Sequence, residues 1–477
     1  MTENRIPHVA LGKSTYPLRQ GNKVIPWVDG KPFYTRLYEA FEKAEHSIWF
    51  VVSFLHRDFQ FPQGPYLWDA LDEFAAKGID VRVLFWRNPH FFQTSNLFLG
   101  TSEDIEFLRS RATRWKARWD SSGEDAQHCH HQKFWMCDAG RESAVGFVGG
   151  MTFGKTTVDN KAHRKPFSRH DICMEVHGPC LQDLHHTFVE RWNEAGTDPH
   201  SPLPWPNASV ASTLSYHDEA FPPSQKGIPA QLTRSLKPGL YTSAPQGEDS
   251  IWLQYQYAFQ NAQRSIYIEN QHPGEKKLLC LIEDALQRGV QVVYIVPGTP
   301  MKAIYDEKEK CIQYQLLEEP EKSAKPKYYE TFAALQRLAT YQNFTFMALA
   351  KNVHEGRSLR YEEIYTHAKL CIVDAEWLTC GSANLVDLSF HKNHTELNVS
   401  CWDPDTSRGL LLDLLLEHSH IERSEWLKRY GEDERNWLQA ISQKAKNNSY
   451  KRTQNLPLEG HCYALSSASY PTRDTLG

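Results

Sequence analysis

Two segments of the chain share the same succession of helical and strand-like hydrophobic patterns. Residues 40–50 (AFEKAEHSIWF) and 258–268 (AFQNAQRSIYI) each read as the end of an amphipathic helix followed by an apolar strand. Residues 70–86 and 281–297 each read as a second amphipathic helix, closed by glycine, and a second strand. This βαβ order predicts parallel strands covered by helices.

The similarity continues into the strands that follow. Three strand-like stretches come next, which are KFWMCD, GFVGGMTF and HDICMEVHG in the first copy and LCIVD, LTCGSANL and TELNVSCWD in the second. We therefore predict an α/β fold made of two tandem, pseudo-two-fold related α/β repeats. Each repeat is expected to be a mostly parallel or mixed sheet covered by helices.

A proline-rich stretch separates the two copies. Residues 199–245 contain nine prolines and little apolar periodicity, which is typical of a linker on the surface. The end of the chain is polar and aperiodic, which indicates an extended tail. The predicted organisation is an N-terminal half at 1–198, a linker at 199–245, a C-terminal half at 246–445 and a tail at 446–477.

The composition narrows the functional classes. Hydrophobic residues make up 40% and charged residues 23% of the chain, which fits a globular protein with substantial cores. The net charge of −5 provides no overall attraction to a nucleic-acid backbone and disfavours a nuclease. The start of the sequence has no apolar region of signal-peptide length, and the apolar run at 48–55 is too short to span a bilayer. We expect a protein made in the cytoplasm, unless a signal-independent pathway exports it.

The stretch HCHHQKFWMCD at residues 128–138 suggests either a metal site or an anion site. A zinc site needs a second pair of ligands, and no Cys/His pair with that spacing is evident in the sequence. A lysine inside the stretch would repel a metal ion and attract an anion. The pattern His-x-Lys-x4-Asp recurs at residues 366–374, so that His131, Lys133 and Asp138 correspond to His367, Lys369 and Asp374.

Two histidines and two lysines suit the cleavage of a phosphodiester. Neutral imidazole is a nucleophile toward phosphorus, and imidazolium is an acid for the departing oxygen. A lysine two residues after a histidine on a strand shares its face, so both ammonium groups can neutralise the charge that builds on one phosphate. This chemistry needs no metal and no other cofactor. It requires the two halves to meet, with the active site at their interface.

The duplicated motif, followed by Gly-Gly in one half and Gly-Ser-x-Asn in the other, resembles that of the phospholipase D superfamily over roughly residues 30–440. The stretches at 266–271 (IYIENQ) and 170–193 resemble phospholipase D enzymes more than the nuclease or kinase-like branches, and the chain is similar to the stand-alone bacterial type. The resemblance implies a covalent phosphohistidine intermediate, with His131 as the nucleophile and His367 as the general acid and then the general base.

The resemblance also implies roles for other residues. Asp171 and Glu396 correspond to the acidic residues that hold an imidazole by its other nitrogen. Asp138 and Asp374 stand at strand ends and are expected to be structural. The first copy has threonine where the second has asparagine. The residues expected to bind substrate are Asn384, Thr152, Gly149, Gly150 and Ser382.

We therefore expect a phospholipase D that hydrolyses glycerophospholipids such as phosphatidylcholine to phosphatidic acid and the free headgroup, and that transfers the phosphatidyl group to alcohols. A phosphatidylserine or cardiolipin synthase would use the same half-reactions and is the main alternative. A phosphodiesterase or nuclease of the same superfamily would need a more basic and less aromatic cleft. A non-catalytic lipid-binding module would not need both motifs.

Aromatic residues between positions 85 and 100 suggest how the protein meets its substrate. Phe91 and Phe92 are expected to contact a bilayer or an acyl chain, whereas Phe85 and Trp86 are expected to fill the core. The expected partners are a phospholipid and, peripherally, the membrane surface, without nucleic acid. The chain is expected to be a monomer.

Overall fold

The structure, a computed structural model, describes most of the chain. Phe85 and Trp86 are buried, whereas Phe91 and Phe92, the residues expected to contact lipid, lie outside the described residues. The described residues are 5–87, 97–98, 101–111, 115–121, 128–195, 213–216, 221–224, 226–298, 301–306, 311–316, 326–356, 358–392 and 394–466.

The fold is mixed α/β, with helices against a large mixed sheet. The strands of the first half are β1 (Arg19–Val28), β2 (Ser47–Val52), β3 (Leu55–His56), β4 (Asp80–Arg87), β5 (Leu97–Phe98), β6 (Lys116–Ser121), β7 (Cys129–His130), β8 (Phe134–Cys137), β9 (Val145–Gly149), β10 (Arg169–His170) and β11 (Ile172–His177). Its helices are α1 (Gly30–Lys43), α2 (Leu67–Ala76), α3 (Ser102–Ser110) and α4 (Cys180–Ala195).

The second half is built from a similar set of elements. Its strands are β12 (Ile228–Leu236), β13 (Glu248–Asp249), β14 (Ser265–Asn270), β15 (Gln291–Ile295), β16 (Met301–Asp306), β17 (Cys311–Leu316), β18 (Phe344–Glu355), β19 (Ser358–Thr366), β20 (Lys369–Val373), β21 (Trp377–Gly381), β22 (His394–Trp402) and β23 (Cys462–Ala464). Its helices are α5 (Ser250–Asn261), α6 (Lys276–Gln287), α7 (Pro326–Leu338), α8 (Pro404–Ser419), α9 (Arg423–Tyr430) and α10 (Glu434–Thr453). Within the described residues, no helix combines the length and the apolar character needed to cross a membrane.

The strands of the two halves pair in the same order. In the first half β6, β4 and β2 are parallel neighbours, and β8, β9, β11 and β1 follow β2 in antiparallel pairs. In the second half β18, β15 and β14 are parallel neighbours, and β20, β21, β22 and β12 follow β14 in antiparallel pairs. The two sheets join where β1 pairs with β12. The parallel βαβ units predicted from the sequence are therefore present as β2–α2–β4 and β14–α6–β15.

Both βαβ units owe their shape to the same local features. Gly78 and Gly289 follow α2 and α6 with φ of 91° and 87°, a left-handed conformation that suits glycine at a helix end. Every residue of β2 and β15 is buried, because helices or loops cover both faces of these strands. This explains why the strands appear in the sequence as unbroken apolar runs.

The aspartates of the two motifs bind the backbone of the strand that pairs with each motif strand, which is β2 for β8 and β14 for β20. Asp138 Oδ1 accepts hydrogen bonds from the backbone N–H groups of His46 (2.8 Å) and Ser47 (3.1 Å), at the start of β2. Asp374 Oδ1 accepts from those of Arg264 and Ser265, both at 2.7 Å, at the start of β14. Both carboxylates thus bind backbone N–H groups at the start of a neighbouring strand.

One strand lies in the predicted linker, so that part of the linker prediction needs correction. Residues 228–236 form β12, which pairs with β22 along the edge of the second sheet. The strand was missed because its buried polar residues hide the apolar pattern. The Gln231 side chain bonds to the backbone of Val9 and Tyr16, and Arg234 forms a buried ion pair with Glu190.

The start of the predicted tail also belongs to the fold. Helix α10 continues past residue 446 to Thr453, and β23 pairs with β18. Cys462 and Tyr463 in β23 are fully buried. The prediction of an extended tail from residue 446 is therefore wrong for these residues.

Candidate active site

The backbone of each motif histidine is held by the opposite half of the chain. His131 follows β7, and its N–H donates to the carbonyl of Thr395 at 3.0 Å. His367 follows β19, and its N–H donates to the carbonyl of His170 at 2.8 Å. Short parallel pairings, β7 with β22 and β10 with β19, surround these bonds. The two histidines are thus brought to one interface by reciprocal contacts.

The acidic partners are also exchanged between the halves. His131 Nδ1 lies 3.0 Å from both carboxylate oxygens of Glu396, and His367 Nδ1 lies 2.7 Å from Asp171 Oδ2. A hydrogen on Nδ1 that is donated to a carboxylate leaves the lone pair on Nε2. In the described part of the chain, neither Nε2 has a hydrogen-bond partner. Both are therefore available to attack phosphorus or to exchange a proton.

Glu396 is surrounded by hydrogen-bond donors. Besides His131, the hydroxyls of Ser382 and Ser389 donate to it at 2.6 and 2.7 Å, and Ser389 lies in a π-helical turn, Leu388–Lys392. Burial opposes ionisation, but the imidazoles of His131 and His394 hold the pKa of Glu396 well below its usual range. Ser382 was expected to bind substrate, and its hydroxyl instead donates to this carboxylate.

Asp171 has a less polar environment. Its Oδ1 accepts a hydrogen bond from the N–H of Ile172 at 2.9 Å, and burial raises its pKa to about 6 despite the nearby ammonium of Lys369. Gly150 packs directly against this pair, since a Cβ at that position would lie 2.8 Å from Asp171 Oδ1 and 2.9 Å from Lys369 Cδ. A Cβ at Gly149 would lie 2.9 Å from the Cα of Cys173. The Gly-Gly pair is thus required by close packing around the acid.

The two motif lysines are fully buried cations. Each Nζ donates to the carbonyl of its own motif histidine at 2.5 Å, and Lys369 also donates to Gln271 Oε1 at 2.9 Å. Burial lowers the pKa of Lys133 to about 8 and that of Lys369 to about 7. Within the described residues neither ammonium forms an ion pair with a carboxylate. Buried cations of this kind are stabilised by a bound anion.

The pKa values of both motif histidines are lowered. Burial lowers the pKa of His131 to about 4, although Glu396 acts in the opposite direction. Burial, with the charges of Lys369 and Arg169, places the pKa of His367 well below its ordinary value. A bound phosphate carries the opposite charge and favours protonation of an imidazole. The substrate itself would therefore help to charge the histidine that acts as the acid.

The asparagine and threonine at equivalent positions differ in their surroundings. Both Asn384 and Thr152 are buried with 6% of their surface exposed. Asn384 Oδ1 has no hydrogen-bond partner in the described part of the chain. The carbonyl of Thr152 accepts hydrogen bonds from the hydroxyls of Tyr34 and Thr157, which fix its backbone. Among the described residues, no hydrogen bond holds the side-chain oxygen of Asn384 in place.

Three further residues near the site were not assigned a catalytic or substrate-binding role from the sequence. Gln271 contacts Lys369, Ser389 contacts Glu396, and the ring of His394 lies 5.6 Å from that of His131. The sequence places residues 269–272 near the cleft, in a supporting role or in contact with substrate, and Gln271 lies there, directly after β14. The sequence contains no comparable signal for Ser389 or His394.

The structure thus brings together a pair of histidines with carboxylate partners and a pair of buried lysines in a mixed α/β fold, which is the arrangement that the duplicated motif requires. Residues 256–411, which include the second motif, match the family described as "Cardiolipin synthase, PLD-like domain". The resemblance to the phospholipase D superfamily that the duplicated motif indicated is therefore confirmed.

The similar proteins include both hydrolases and synthases by name. The chain is 23% identical over 490 residues to phospholipase D alpha 1 of Oryza sativa subsp. japonica, covering 76% of this chain and 59% of that protein. It is 24% identical over 381 residues to cardiolipin synthase A of Pseudomonas putida (strain W619), covering 79% of this chain and 64% of that protein. The chain thus spans about 60% of the length of these relatives. Among solved structures, phosphatidylserine synthase of Haemophilus influenzae Rd KW20 has 12% sequence identity and a TM-score of 0.47, covering 91% of this chain and 96% of that chain.

Proposed function

We propose that the protein is a phospholipase D that hydrolyses glycerophospholipids such as phosphatidylcholine and transfers the phosphatidyl group to alcohols. The observation that carries the proposal is the reciprocal pairing of His131 with Glu396 and of His367 with Asp171. It supplies one imidazole for attack and a second for proton transfer at one interface, next to two cations.

The proposal includes a tandem, pseudo-two-fold arrangement of the two halves with the active site between them. The matching order of strand pairings and the exchanged carboxylates support it. The halves are taken as residues 1–198 and 246–445, and the chain as a monomer that acts peripherally at a membrane surface. A phospholipid, and not nucleic acid, is its proposed partner, because the chain as a whole carries a net charge of −5.

The first step is attack of His131 Nε2 on phosphorus. A P–N bond forms, the P–O bond to the headgroup breaks, and His367 Nε2 gives its proton to the departing oxygen. Glu396 stabilises the positive charge that develops on His131. Lys133, Lys369 and the amide of Asn384 neutralise the non-bridging oxygens in the transition state.

The second step releases the phosphatidyl group. His367, now neutral, takes a proton from a water or an alcohol as its oxygen attacks phosphorus, and the P–N bond to His131 breaks. Water gives phosphatidic acid, and an alcohol gives a new phosphatidyl ester. The two displacements leave the configuration at phosphorus unchanged.

A phosphatidylserine or cardiolipin synthase is the second candidate. The matched family description and the similarity to cardiolipin synthase A favour it. It would follow the same two steps, with the hydroxyl of serine or of phosphatidylglycerol as the second attacking group. The two candidates therefore differ in substrate and acceptor and share the residues that act.

Mass spectrometry of lipid products distinguishes the candidates. Phosphatidylcholine vesicles with a primary alcohol should yield phosphatidic acid and the phosphatidyl alcohol. Phosphatidylglycerol alone, and a cytidine-diphosphate lipid with serine, test the synthase reactions. His131→Ala serves as the inactive variant and His177→Ala, at the end of β11, as the matched control. Turnover of phosphatidylglycerol to cardiolipin without turnover of phosphatidylcholine would favour the second candidate. An oligonucleotide is offered in a separate reaction. Its cleavage without turnover of any of the lipids would overturn both candidate functions.

A further inference from the structure

A second group of buried histidines and carboxylates lies next to the active site and takes no part in the proposed reaction. Its central members are Asp29 at the end of β1, His163 in the loop before β10, His170 in β10, and Glu417 in α8. The first three have no exposed surface, and the side chain of Glu417 is 6% exposed. So many ionisable groups are buried together only if they neutralise one another or hold an ion.

Each of the four side chains offers one ligand atom, and these atoms lie within 4.8 Å of one another. His170 Nδ1 lies 3.0 Å from Asp29 Oδ1 and 3.2 Å from Glu417 Oε1. His163 Nε2 lies 3.2 Å from Glu417 Oε1 and 3.6 Å from Asp29 Oδ2. Ligands at zinc bond lengths of roughly 2.0–2.1 Å stand about 3.3 Å apart on the edges of a tetrahedron. We infer that Asp29, His163, His170 and Glu417 form a tetrahedral site for a divalent transition-metal ion, of which zinc fits the ligands best.

The groups around the four ligands match a metal site. The remaining ring nitrogen of His163 lies 3.0 Å from Asp159 Oδ2, and that of His170 lies 2.8 Å from Glu269 Oε2. Metal-bound imidazoles usually donate their second N–H to a carboxylate in this way, which orients the ring. Both histidines would thus bind metal through one nitrogen and a carboxylate through the other.

Within the described ranges, one carboxylate oxygen of the group lacks a hydrogen bond, although His163 Nε2 lies 3.6 Å from it. Among the residues that the structure describes, Asp29 Oδ2 is buried and accepts no hydrogen bond. An ionised oxygen in that position is costly unless a cation is present. The neighbouring set of His170, Glu269 and His418 is a weaker candidate, because it offers three ligand atoms and Glu269 already accepts hydrogen bonds from Tyr267 and His418.

A metal ion at this site would bridge residues from the two halves of the chain. Asp29, His163 and His170 belong to the first half, and Glu417 belongs to the second. With four protein ligands it has no open position for substrate, which is typical of structural zinc. His170 also accepts the backbone hydrogen bond of His367 and precedes Asp171. The ion would therefore stabilise the side of the interface that carries the proton-transferring histidine.

A metal ion bound here would differ from the expectation that the protein binds no metal. That expectation was based on the chemistry of the two catalytic motifs. The inferred metal site is independent of the proposed reaction, because no step passes through these four residues. The rival explanation is that protons, and not a metal, hold the cluster together as imidazolium–carboxylate pairs. Metal content separates the two explanations directly.

The experiment measures metal in untagged protein that has been incubated with zinc and desalted. The expected result is one zinc ion per chain, and the cobalt-substituted protein should show the strong visible absorption of tetrahedral Co²⁺. Glu417→Gln keeps the shape of the side chain and should lose the ion, as should His163→Ala. Asp159→Asn removes only the orienting carboxylate and should weaken metal affinity about 10- to 100-fold.

Two variants serve as controls. His461→Ala removes a buried histidine whose ring lies 5.3 Å from that of His163, and it should keep the ion. His394→Ala tests the other possible ligand group, made of His131, His394 and Glu396, and should also keep it. Wild-type protein that binds no zinc would establish the proton-held cluster and overturn the inference. A metal that persists in Glu417→Gln, or that disappears in His394→Ala, would overturn it as well.

Discussion

The two histidine–carboxylate pairs both use Nδ1 of the histidine, but the carboxylates have different surroundings. Glu396 accepts hydrogen bonds from two serine hydroxyls as well as from His131. Asp171 accepts a hydrogen bond from the backbone N–H of Ile172 as well as one from Nδ1 of His367. More donors stabilise the ionised form, so Glu396 is the better partner for an imidazole that becomes positively charged. The motif therefore supplies two equivalent histidines, and in the proposed reaction their surroundings distinguish the nucleophile from the acid.

The largest expected effect comes from removing either histidine. His131→Ala and His367→Ala should each reduce turnover of phosphatidylcholine by about 10⁴-fold or more, because neither nucleophile nor acid has a substitute. With a p-nitrophenyl phosphatidyl ester the leaving group needs no acid. His367→Ala should then release a burst of nitrophenol, stall, and accumulate an acid-labile adduct on His131.

His131→Ala should give neither burst nor adduct, because the lysines can hold the phosphate but no group attacks it. Peptide mapping of the trapped protein checks this assignment. An adduct on His367 in His131→Ala would reverse the two roles, and the absence of an adduct from both variants would exclude the covalent route.

Exchange of the carboxylates for amides should have the next largest effect. Glu396→Gln and Asp171→Asn should each lower turnover by about 10²- to 10⁴-fold, since an amide no longer fixes the tautomer or stabilises an imidazolium. In the nitrophenyl assay Glu396→Gln should slow the burst, whereas Asp171→Asn should keep the burst and slow the turnover that follows. Rapid-mixing absorbance measures both phases. Equal effects on both phases would contradict different roles for the two pairs.

The lysines offer a test that needs no turnover. The protonated forms bind anions, and the pKa values of Lys369 and Lys133 are about 7 and about 8. Sulfate keeps its charge between about pH 6 and 9, so its affinity should fall as the pH rises through this window. Lys369→Met should weaken binding about 10- to 100-fold at the acid end and remove the lower part of the pH dependence. Calorimetric titration that shows pH-independent affinity for the wild type would contradict this.

The smallest expected effects on kcat come from Asn384 and Thr152, the residues at equivalent positions after the two glycine motifs. Asn384→Ala should lower kcat by about 10-fold, because the proposed reaction has its NH2 group donate to the phosphate. Thr152→Val, which keeps the shape of the side chain, should change kcat by less than about 3-fold. Initial rates on a short-chain phosphatidylcholine measure both. Equal losses would mean that the two positions contact the phosphate alike.

Much of the site could be predicted from the sequence because its residues recur at a fixed local spacing. His131 with Lys133, and His367 with Lys369, are each two positions apart on a strand, so one copy predicts the other. The exchange of Glu396 and Asp171 between the halves could not be predicted, since it depends on how two distant segments dock. Ser389 was missed for the same reason.

The fold was predictable where helices and strands bury apolar faces, and less so elsewhere. The βαβ units followed from their hydrophobic periodicity. Strand β12 was missed because buried Gln231 and Arg234 satisfy their polar groups through distant partners, which no local pattern reveals. The ligands of the proposed metal site are likewise scattered, with Asp29 and Glu417 near opposite ends of the chain.

The distance in sequence between His131 and its carboxylate has a consequence for synthesis. Glu396 is translated 265 residues after His131. At roughly 5–20 residues per second, the histidine emerges from the ribosome roughly 10 to 50 seconds before its partner exists. A nascent first half can therefore fold its sheet while its imidazole lacks both the orienting carboxylate and the backbone carbonyl of Thr395. The proposed activity would thus arise only after residue 396 has been translated, and a product interrupted before that point would carry the first motif without its carboxylate partner.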